Sequence, residues 1–255
     1  MNKEKSDQYR NLVAKVKEKY KSYTTSNDKI TLGWCDLLPD EDLCREINLW
    51  TYWQGWNYAE HTPIIKYMLL GQDFGPPDKE EQKGTIDNVR LLNEQGRAKK
   101  NVMFHDGVKM DARDSKTDKA LIPLFEILGR PDIDKVAYDD LFFCICCLGY
   151  RKGNYSGNMT QDLMMSDEEY IRELVDIIEP ENIICLGFNT SIATIRILCT
   201  KDFQCKNFSA LMERKEPYVY KKSKIFPVAH PGYWGMKNRG GEDIVKSDWK
   251  RILDN

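Results

Sequence analysis

The stretch Ile64-Ile-Lys-Tyr-Met-Leu-Leu70, which stops at Gly71, decides the fold of this chain. A short, almost continuous apolar run that ends in a tight loop is typical of a strand buried on both faces. Comparable apolar runs follow at 141–148, 182–186 and 224–229, and helical patterns lie between them at 167–178 and 190–198. Because strands and helices alternate, the sequence predicts an α/β fold: a single doubly wound, three-layer domain with a central four-stranded parallel sheet flanked by helices.

The rest of the chain is interpreted around this sheet. Residues 3–21 are charged, with apolar positions at Leu12, Val13, Val16 and Tyr20, which predicts an amphipathic helix of modest burial. We therefore divide the chain into an N-terminal helical extension, 1–25, and one α/β domain, 26–255. Within the domain we expect a helix over 40–56, a long polar loop over 76–116, and a helix that Thr117-Asp118 precedes and Gly129 ends.

Composition limits the classes of function. The 255 residues include 38 Lys and Arg against 40 Asp and Glu, a formal net charge of -2, so any site for a polyanion must be a local patch. No apolar stretch approaches the ~18 to 20 residues that span a bilayer, and Met1-Asn-Lys-Glu-Lys lacks the apolar core of a secretory signal. We expect a cytoplasmic protein with no membrane contact.

The cysteines predict no metal site. Three of the eight, Cys144, Cys146 and Cys147, lie inside an apolar run, where side chains alternate across a strand and do not converge on one ion. We interpret them as reduced, buried, small hydrophobic side chains. The sequence gives no reason to expect a cofactor.

Polar residues follow each predicted strand. The four loops are 71–77, 149–154, 187–190 and 230–233, and in a parallel sheet all four meet at one edge, where ligands bind. Asp73 in the first loop and His230 in the last would bring two titratable groups to one crevice. Lys221, Lys222, Lys224, Lys237 and Arg239, interleaved with Tyr233 and Trp234, add a basic aromatic stripe that favours a nucleic-acid strand as partner.

At these residues the chain resembles the uracil-DNA glycosylase superfamily. Gly71-Gln72-Asp73 resembles the family's first motif, and His230-Pro231-Gly232 resembles its second. The resemblance covers about 64–253 by the order and spacing of loops. It implies a DNA glycosylase of base-excision repair, a hydrolase that cleaves the N-glycosidic bond of uracil or a related deaminated base flipped out of DNA.

The resemblance also implies residue roles. Asp73 orients water or stabilises positive charge on the sugar, and His230 donates a hydrogen bond to the leaving base. The residues expected to contact the base are Gln72, Phe74 and Asn154, although Asn158 and Asn189 are alternative sources of an amide. The residues expected to contact DNA are Arg151, Lys237, Arg239 and Tyr233. Neither a metal nor a cofactor is needed, and one DNA site per chain suggests a monomer.

The chain departs from the family at three positions. Phe74-Gly75-Pro76 follows the aspartate where Pro-Tyr-His is usual, Gly232 replaces a serine, and Ile145 stands where an asparagine reads the uracil edge. The last departure motivates an alternative: a catalytically silent relative that binds nucleic acid or a damaged base. A protein that binds a free nucleotide is a further reading, but no Walker-type or Gly-x-Gly-x-x-Gly loop follows a strand.

Overall fold

The computed structural model describes residues 3–22, 31–33, 64–73, 116–131, 133, 138, 140–152 and 159–255. The helices within these ranges are α1 (Lys3–Ser22), α2 (Lys116–Ile127), α3 (Gln161–Met165), α4 (Glu168–Ile178), α5 (Phe188–Leu198), α6 (Phe208–Glu213), α7 (Tyr233–Arg239) and α8 (Glu242–Lys250). The strands are β1 (Thr31–Gly33), β2 (Tyr67–Gly71), β3 (Leu141–Ile145), β4 (Tyr150–Lys152), β5 (Asn182–Leu186), β6 (Tyr218–Tyr220) and β7 (Ser223–Val228).

The predicted mixed α/β fold is confirmed, with one change in the sheet. Five of the described strands form a sheet in the order β3-β2-β5-β7-β6, flanked by helices. The four strands predicted from the apolar runs pair in parallel. The fifth, β6, pairs antiparallel with β7 and was not predicted. A separate two-stranded antiparallel pair joins β1 to β4.

Strand β6 is a short edge strand, which explains why sequence reasoning missed it. It has three residues and joins β7 through the two-residue turn Lys221-Lys222, which lacks the Gly or Asn that usually marks a hairpin. Its pairing stops at Ile225, two residues before Pro227. Because proline has no N–H to donate, a longer antiparallel partner could not bond to β7 there.

Alternate residues of the central strands face two different hydrophobic clusters. In β2, Met68 and Leu70 belong to one cluster, and Tyr67 and Leu69 belong to the other. Helices α1, α4 and α5 contribute to the first cluster, and α2 and α8 contribute to the second. Alternate side chains of β2 are therefore buried in different clusters, as its nearly continuous apolar run predicted.

Helix α1 is buried more deeply than the sequence suggested. Its apolar stripe is nine-tenths or more buried and lies in the same cluster as the sheet: Tyr9, Leu12, Val13, Val16 and Tyr20. The ring of Tyr9 packs edge-on against Phe142 of β3, with centroids 6.4 Å apart. The predicted boundary at residue 25, the predicted helix over 40–56 and the long loop before Lys116 lie outside the described residues.

Helix α2 ends as predicted and begins slightly earlier. Gly129, with φ 72°, follows the helix, and the N–H groups of Arg130 and Gly129 donate to the carbonyls of Phe125 (2.9 Å) and Glu126 (3.0 Å). This is the paired closing geometry in which a glycine ends a helix. The helix starts at Lys116, so the predicted capping residues, Thr117 and Asp118, lie in its first turn.

The three clustered cysteines are free thiols and are buried, as predicted. All three belong to one hydrophobic cluster, because the strand ends at Ile145 and the alternation of side chains stops there. Burial raises the pKa of all three thiols, that of Cys146 to about 12. In the described part of the chain, no helix has both the length and the apolar composition needed to cross a membrane.

Candidate functional site

The strand order creates a switch point between β2 and β5. From β2 the chain crosses to β3 on one side, and from β3 it returns past β2 to β5 on the other. In open α/β sheets, the crevice beyond the carboxyl ends of two such strands is where ligands bind. Asp73 follows β2 at this edge, and Gly187 follows β5.

The two residues before Asp73 are hydrogen-bonded to the residues that follow β3. The N–H groups of Cys146 and Cys147 donate to the carbonyls of Gly71 (2.9 Å) and Gln72 (3.1 Å), which extends the β2–β3 pairing past the strand ends. The Gln72 amide donates from Nε2 to Oδ1 of the partly buried Asp73, at 3.1 Å. Gln72 therefore contacts the carboxylate directly, while its predicted contact with a base stays a prediction.

Gly187 leaves the centre of the edge without a side chain. Its φ of +88° favours glycine, and its N–H donates to the carbonyl of Val228 at 2.8 Å. A Cβ atom built on Gly187 would lie 3.5 Å from Cβ of His230. Since β5 lies between β2 and β7, the Asp73 and His230 loops start two strand spacings apart, about 10 Å. The two loops therefore flank Gly187 at the same edge of the sheet.

The ring orientation of His230 is fixed by its own loop. The N–H of Gly232 donates to Nδ1 at 3.0 Å, so the neutral imidazole carries its proton on Nε2. The ring is exposed at the surface, yet the protein around its inner edge displaces water and lowers the pKa of His230. The side chain therefore keeps a neutral N–H donor at neutral pH.

Helix α7 packs directly on His230. Any side chain at Gly235 would overlap the His230 carbonyl oxygen, so only glycine permits this approach. On the outer side of the helix, the rings of Tyr233 and Trp234 are 66% and 67% exposed. The ammonium group of Lys237 lies 5.8 Å from the first ring centroid and 5.2 Å from the second. Tyr233 and Lys237, two predicted DNA contacts, are thus brought together beside His230.

Arg239 ties α7 to the body of the protein. Its Nε and Nη2 donate to the two carboxylate oxygens of Asp248 in α8, at 2.6 and 2.9 Å. This bidentate pair is mostly buried, with Arg239 22% and Asp248 5% exposed, and it raises the pKa of the guanidinium. The structure gives Arg239 a positioning role, and its predicted contact with DNA stays a prediction.

The predicted basic stripe is not one surface. Lys221 and Lys222 lie in the turn that precedes β7 and pair with Asp176 (2.6 Å) and Glu179 (3.0 Å). His230 follows the other end of that six-residue strand, about 17 Å away. Lys224, near the start of β7, donates to the backbone carbonyl of Asn255. A strand separates residues close in sequence, so these three lysines do not surround the site.

The remaining predicted residues are only partly described. Phe74, Asn154 and Asn158 lie outside the described residues. Arg151 lies in β4 opposite Leu32, and nothing is described of its side chain. Asn189 is in the first turn of α5, partly buried. Ile145 ends β3 with 8% exposure and packs in the core, so that strand position offers no amide.

A buried carboxylate, Asp167, is bonded to the backbone that follows β3, and sequence reasoning missed it. Asp167 is fully buried at the start of α4 and accepts hydrogen bonds from the Tyr20 hydroxyl (2.6 Å), the Leu148 N–H (2.7 Å) and Lys19 Nζ (2.7 Å). Burial raises the pKa of Asp167, and the positive charge of Lys19 partly opposes this rise. Burial and the neighbouring Asp167 carboxylate raise the pKa of Tyr20. The only signal in the sequence was an aspartate preceding a helical pattern.

Comparisons with known proteins give no family. No family model matches the chain, and no curated protein matches its sequence. In the described ranges, no three His, Cys, Asp or Glu residues lie close enough to hold a metal ion. The case for a function therefore depends on the geometry of Asp73, Gly187 and His230.

Proposed function

We propose that this chain is a divergent member of the uracil-DNA glycosylase superfamily, with the doubly wound three-layer architecture of that family. In this proposal it is a DNA glycosylase of base-excision repair that hydrolyses the N-glycosidic bond of uracil or a related deaminated base. It acts in the cytoplasm and needs neither a metal nor a cofactor. It is a monomer, since one DNA site per chain suffices.

One observation supports this proposal most strongly. Asp73 and His230 follow parallel strands at the same sheet edge, on opposite sides of the side-chain-free position Gly187. The two loops start about 10 Å apart, two strand spacings, with no side chain between them at Gly187. A carboxylate on one side and a neutral N–H donor on the other match the two centres of charge that form when an N-glycosidic bond breaks.

The chemistry divides between these two groups. As the bond from C1′ to the base nitrogen breaks, positive charge develops on the sugar and negative charge on the base oxygen. The Asp73 carboxylate stabilises the sugar cation and orients the water whose oxygen bonds to C1′. The water proton ends on the departing base. His230 Nε2–H donates to the base oxygen, a contribution of roughly 2.7 to 4 kcal/mol for one such donor.

A non-catalytic relative is the second candidate, and Ile145 favours it. This buried isoleucine ends β3, next to the strand that leads to Asp73, and presents no amide to a base. Under this alternative the crevice binds nucleic acid or a damaged base and leaves the bond intact. DNA binding without release of any base distinguishes it from the enzyme.

The test is a glycosylase assay on labelled oligonucleotides that carry uracil, hypoxanthine, xanthine or a thymine mismatch, each as single strand and duplex. We expect base release from at least one substrate, and its loss in Asp73→Asn and in His230→Ala. Asp202→Asn, an exposed aspartate in the α5–α6 connection, serves as the matched control and should keep full activity.

The outcomes separate the two candidates. Full activity in Asp73→Asn contradicts the assignment of the carboxylate even if the protein is a glycosylase. No base release from any oligonucleotide, together with salt-dependent DNA binding, favours the non-catalytic relative. Silence with no DNA binding contradicts both.

A further inference from the structure

Asp167 occupies the N-cap position of α4 but does not cap that helix. An aspartate at this position usually accepts hydrogen bonds from the free N–H groups of the first helical turn. The Asp167 carboxylate makes no such bond and accepts instead from Tyr20, Leu148 and Lys19, all distant from it in sequence. Because burial of a charge is unfavourable unless the charge is paired and hydrogen-bonded, the side chain is committed to these partners.

The partners of Asp167 converge on the segment that follows β3. One carboxylate oxygen, Oδ2, accepts from both the Tyr20 hydroxyl at 2.6 Å and the Leu148 N–H at 2.7 Å. The ring of Tyr20 also lies against Gly149, where an added Cβ atom would overlap it. Three parts of the chain therefore meet at one oxygen atom: helix α1, helix α4 and the segment after β3.

Segment 146–148 in turn holds the backbone before Asp73. The Cys147 N–H, adjacent to Leu148, donates to the carbonyl of Gln72 at 3.1 Å, and Gln72 directly precedes Asp73. Burial raises the pKa of the Cys147 thiol, and the carboxylates of Asp167 and Asp73 both add to this rise. Cys147 therefore lies within electrostatic range of both carboxylates.

The position of Asp73 matters for the chemistry assigned to it. Strand β3 ends at Ile145, and beyond it the Leu148 N–H donates to a side chain rather than to a neighbouring strand. A displacement of a catalytic group by about 1 Å can lower a rate about a hundredfold. A contact that holds this segment in place therefore has a consequence for catalysis.

We propose that Asp167 is a positioning residue for Asp73. It fixes segment 146–148, which holds the backbone before Asp73, and Tyr20 makes the N-terminal helix part of the same support. The inference rests on the proposed function for the reaction that Asp73 performs, but the support itself is measurable without any reaction. Helix α1, which the sequence predicted to be an extension of modest burial, thus becomes part of the functional unit.

The first measurement is hydrogen exchange of the Cys147 amide in the full chain, followed by nuclear magnetic resonance. This N–H donates to the Gln72 carbonyl, so its protection reports how firmly the Asp73 loop is attached. We expect Asp167→Ala to lower this protection about tenfold more than that of Ile184, a buried residue of β5 that reports general destabilisation. Asp167→Asn, which keeps an oxygen to accept from Leu148, should restore most of the protection.

The second measurement is the single-turnover rate of base release over a range of enzyme concentrations, on an oligonucleotide that the wild-type protein cleaves. Displacement of Asp73 in Asp167→Ala should lower the rate at saturation about ten- to a hundredfold and leave the half-saturating concentration nearly unchanged. Tyr20→Phe should cause a smaller loss of the same kind. All variants are compared at a temperature at which circular dichroism shows them folded, and if Asp167→Ala does not fold, Tyr20→Phe serves for both measurements.

Asp140→Asn is the matched control. Asp140 directly precedes β3, at the opposite end of the same strand, and its carboxylate accepts from Arg130 Nε at 3.1 Å. Like Asp167→Asn, this change removes the charge of an ion-paired carboxylate. Because Asp140 lies far from segment 146–148, the change should leave the relative protection of Cys147 and the rate at saturation unaltered.

The outcomes separate this proposal from the proposed function. A loss of Cys147 protection no greater than that of Ile184 overturns the proposal. Lost protection with an unchanged rate at saturation also overturns it, as does an equal loss of rate in Asp140→Asn. If the wild-type protein releases no base, the proposed function is contradicted instead, and the exchange of the Cys147 amide decides whether Asp167 holds the Asp73 loop.

Discussion

The two edges of the parallel sheet use charged residues in opposite ways. At the amino edge, Asp176 and Glu179 near the end of α4 pair with Lys221 and Lys222 on the surface. At the carboxyl edge, Asp73 has a glutamine amide against its carboxylate, and His230 keeps a neutral N–H donor. The amino edge thus carries pairs of opposite charge on the surface, whereas the carboxyl edge brings together a carboxylate and a neutral N–H donor.

The carboxyl edge also has a buried carboxylate, Asp167, bonded to the backbone that follows β3. Asp167, at the start of α4, accepts a hydrogen bond from the Leu148 N–H, and the adjacent Cys147 N–H donates to the Gln72 carbonyl. Two hydrogen bonds, made by adjacent backbone residues, thus link Asp167 to the residue before Asp73. We infer that the difference between the edges is one of positioning: a reacting group needs a fixed backbone, and a surface ion pair does not.

The largest expected difference between the edges is catalytic. If the proposed function is correct, Asp73→Asn should reduce the rate of base release by about 10²- to 10⁴-fold, because the amide neither stabilises a sugar cation nor accepts a proton. Asp176→Asn, the same change at the amino edge, should leave the rate unchanged. Single-turnover assays on both variants measure the rate of base release. A similar loss of rate in both would contradict the difference between the edges.

The buried carboxylate should dominate stability. Asp167→Ala removes the carboxylate that accepts from the Tyr20 hydroxyl and the Leu148 N–H and that pairs with Lys19, so we expect the free energy of unfolding to fall by about 3–5 kcal/mol. Urea denaturation followed by circular dichroism measures it. Asp167→Asn, which keeps one acceptor oxygen, should lose less. A loss below that of a typical surface substitution would show that the network carries little energy.

Removing one donor from the same network should have a smaller effect. Tyr20→Phe keeps the ring packed against Gly149 and removes the hydroxyl that donates to Asp167. A hydrogen bond to a charged group contributes about 1.5–3 kcal/mol, and we expect a loss within that range. Urea denaturation is again the measurement. Val16→Ala, a buried change on the same helix without a hydrogen bond, controls for lost packing.

The parallel part of the fold was predictable because local sequence determined it. The apolar runs that became β2, β3, β5 and β7 are buried on both faces, so their composition alone identified them. The antiparallel edge strand β6 was not predictable, because a three-residue strand and a Lys-Lys turn give no recognisable sequence pattern. The depth to which α1 is buried was underestimated: four of its five buried apolar side chains were identified, but their burial depends on α4 and the sheet, which local sequence does not show.

The placement of a candidate residue was predictable only where it closely follows a strand. Asp73 and His230 were placed at one edge in this way, and the parallel pairing confirms that placement, while their roles stay predictions. Side chains positioned by distant partners could not be found. Arg239 is committed to Asp248 on the next helix, and Asp167 receives donors from α1, nearly 150 residues earlier in the chain. Proximity in sequence also misled, since β7 separates Lys221 from His230.

The titration of His230 should reveal how far the carboxyl edge is desolvated. Burial lowers its pKa from the ordinary value of 6.5. Between the lowered pKa and 6.5, the unfolded chain binds more protons than the folded one, so unfolding free energy should rise with pH across that window. The contribution is complete above 6.5 and is lost as the pH falls through the folded pKa. His230→Gln should remove this slope.

Nuclear magnetic resonance of the His230 ring protons, compared with the His230→Gln spectrum for assignment, gives the pKa directly. Protonation also places a hydrogen on Nδ1, which then no longer accepts from the Gly232 N–H, so the Gly232 amide resonance should titrate with the ring. A pKa at or above 6.5 would contradict the desolvated environment. An ordinary histidine on the surface, in contrast, titrates without moving a neighbouring amide.

The smallest expected effect is at the amino edge. Lys221 and Lys222 were part of the predicted basic stripe, but their exposed partners, Asp176 and Glu179, neutralise them far from the crevice. The double variant Lys221→Gln/Lys222→Gln should therefore bind DNA with unchanged affinity and salt dependence, whereas Lys237→Gln lowers both. Anisotropy titrations over a range of salt concentrations make the measurement. A reduced salt slope in the double variant would mean that DNA reaches both edges, and the contrast between them would then fail.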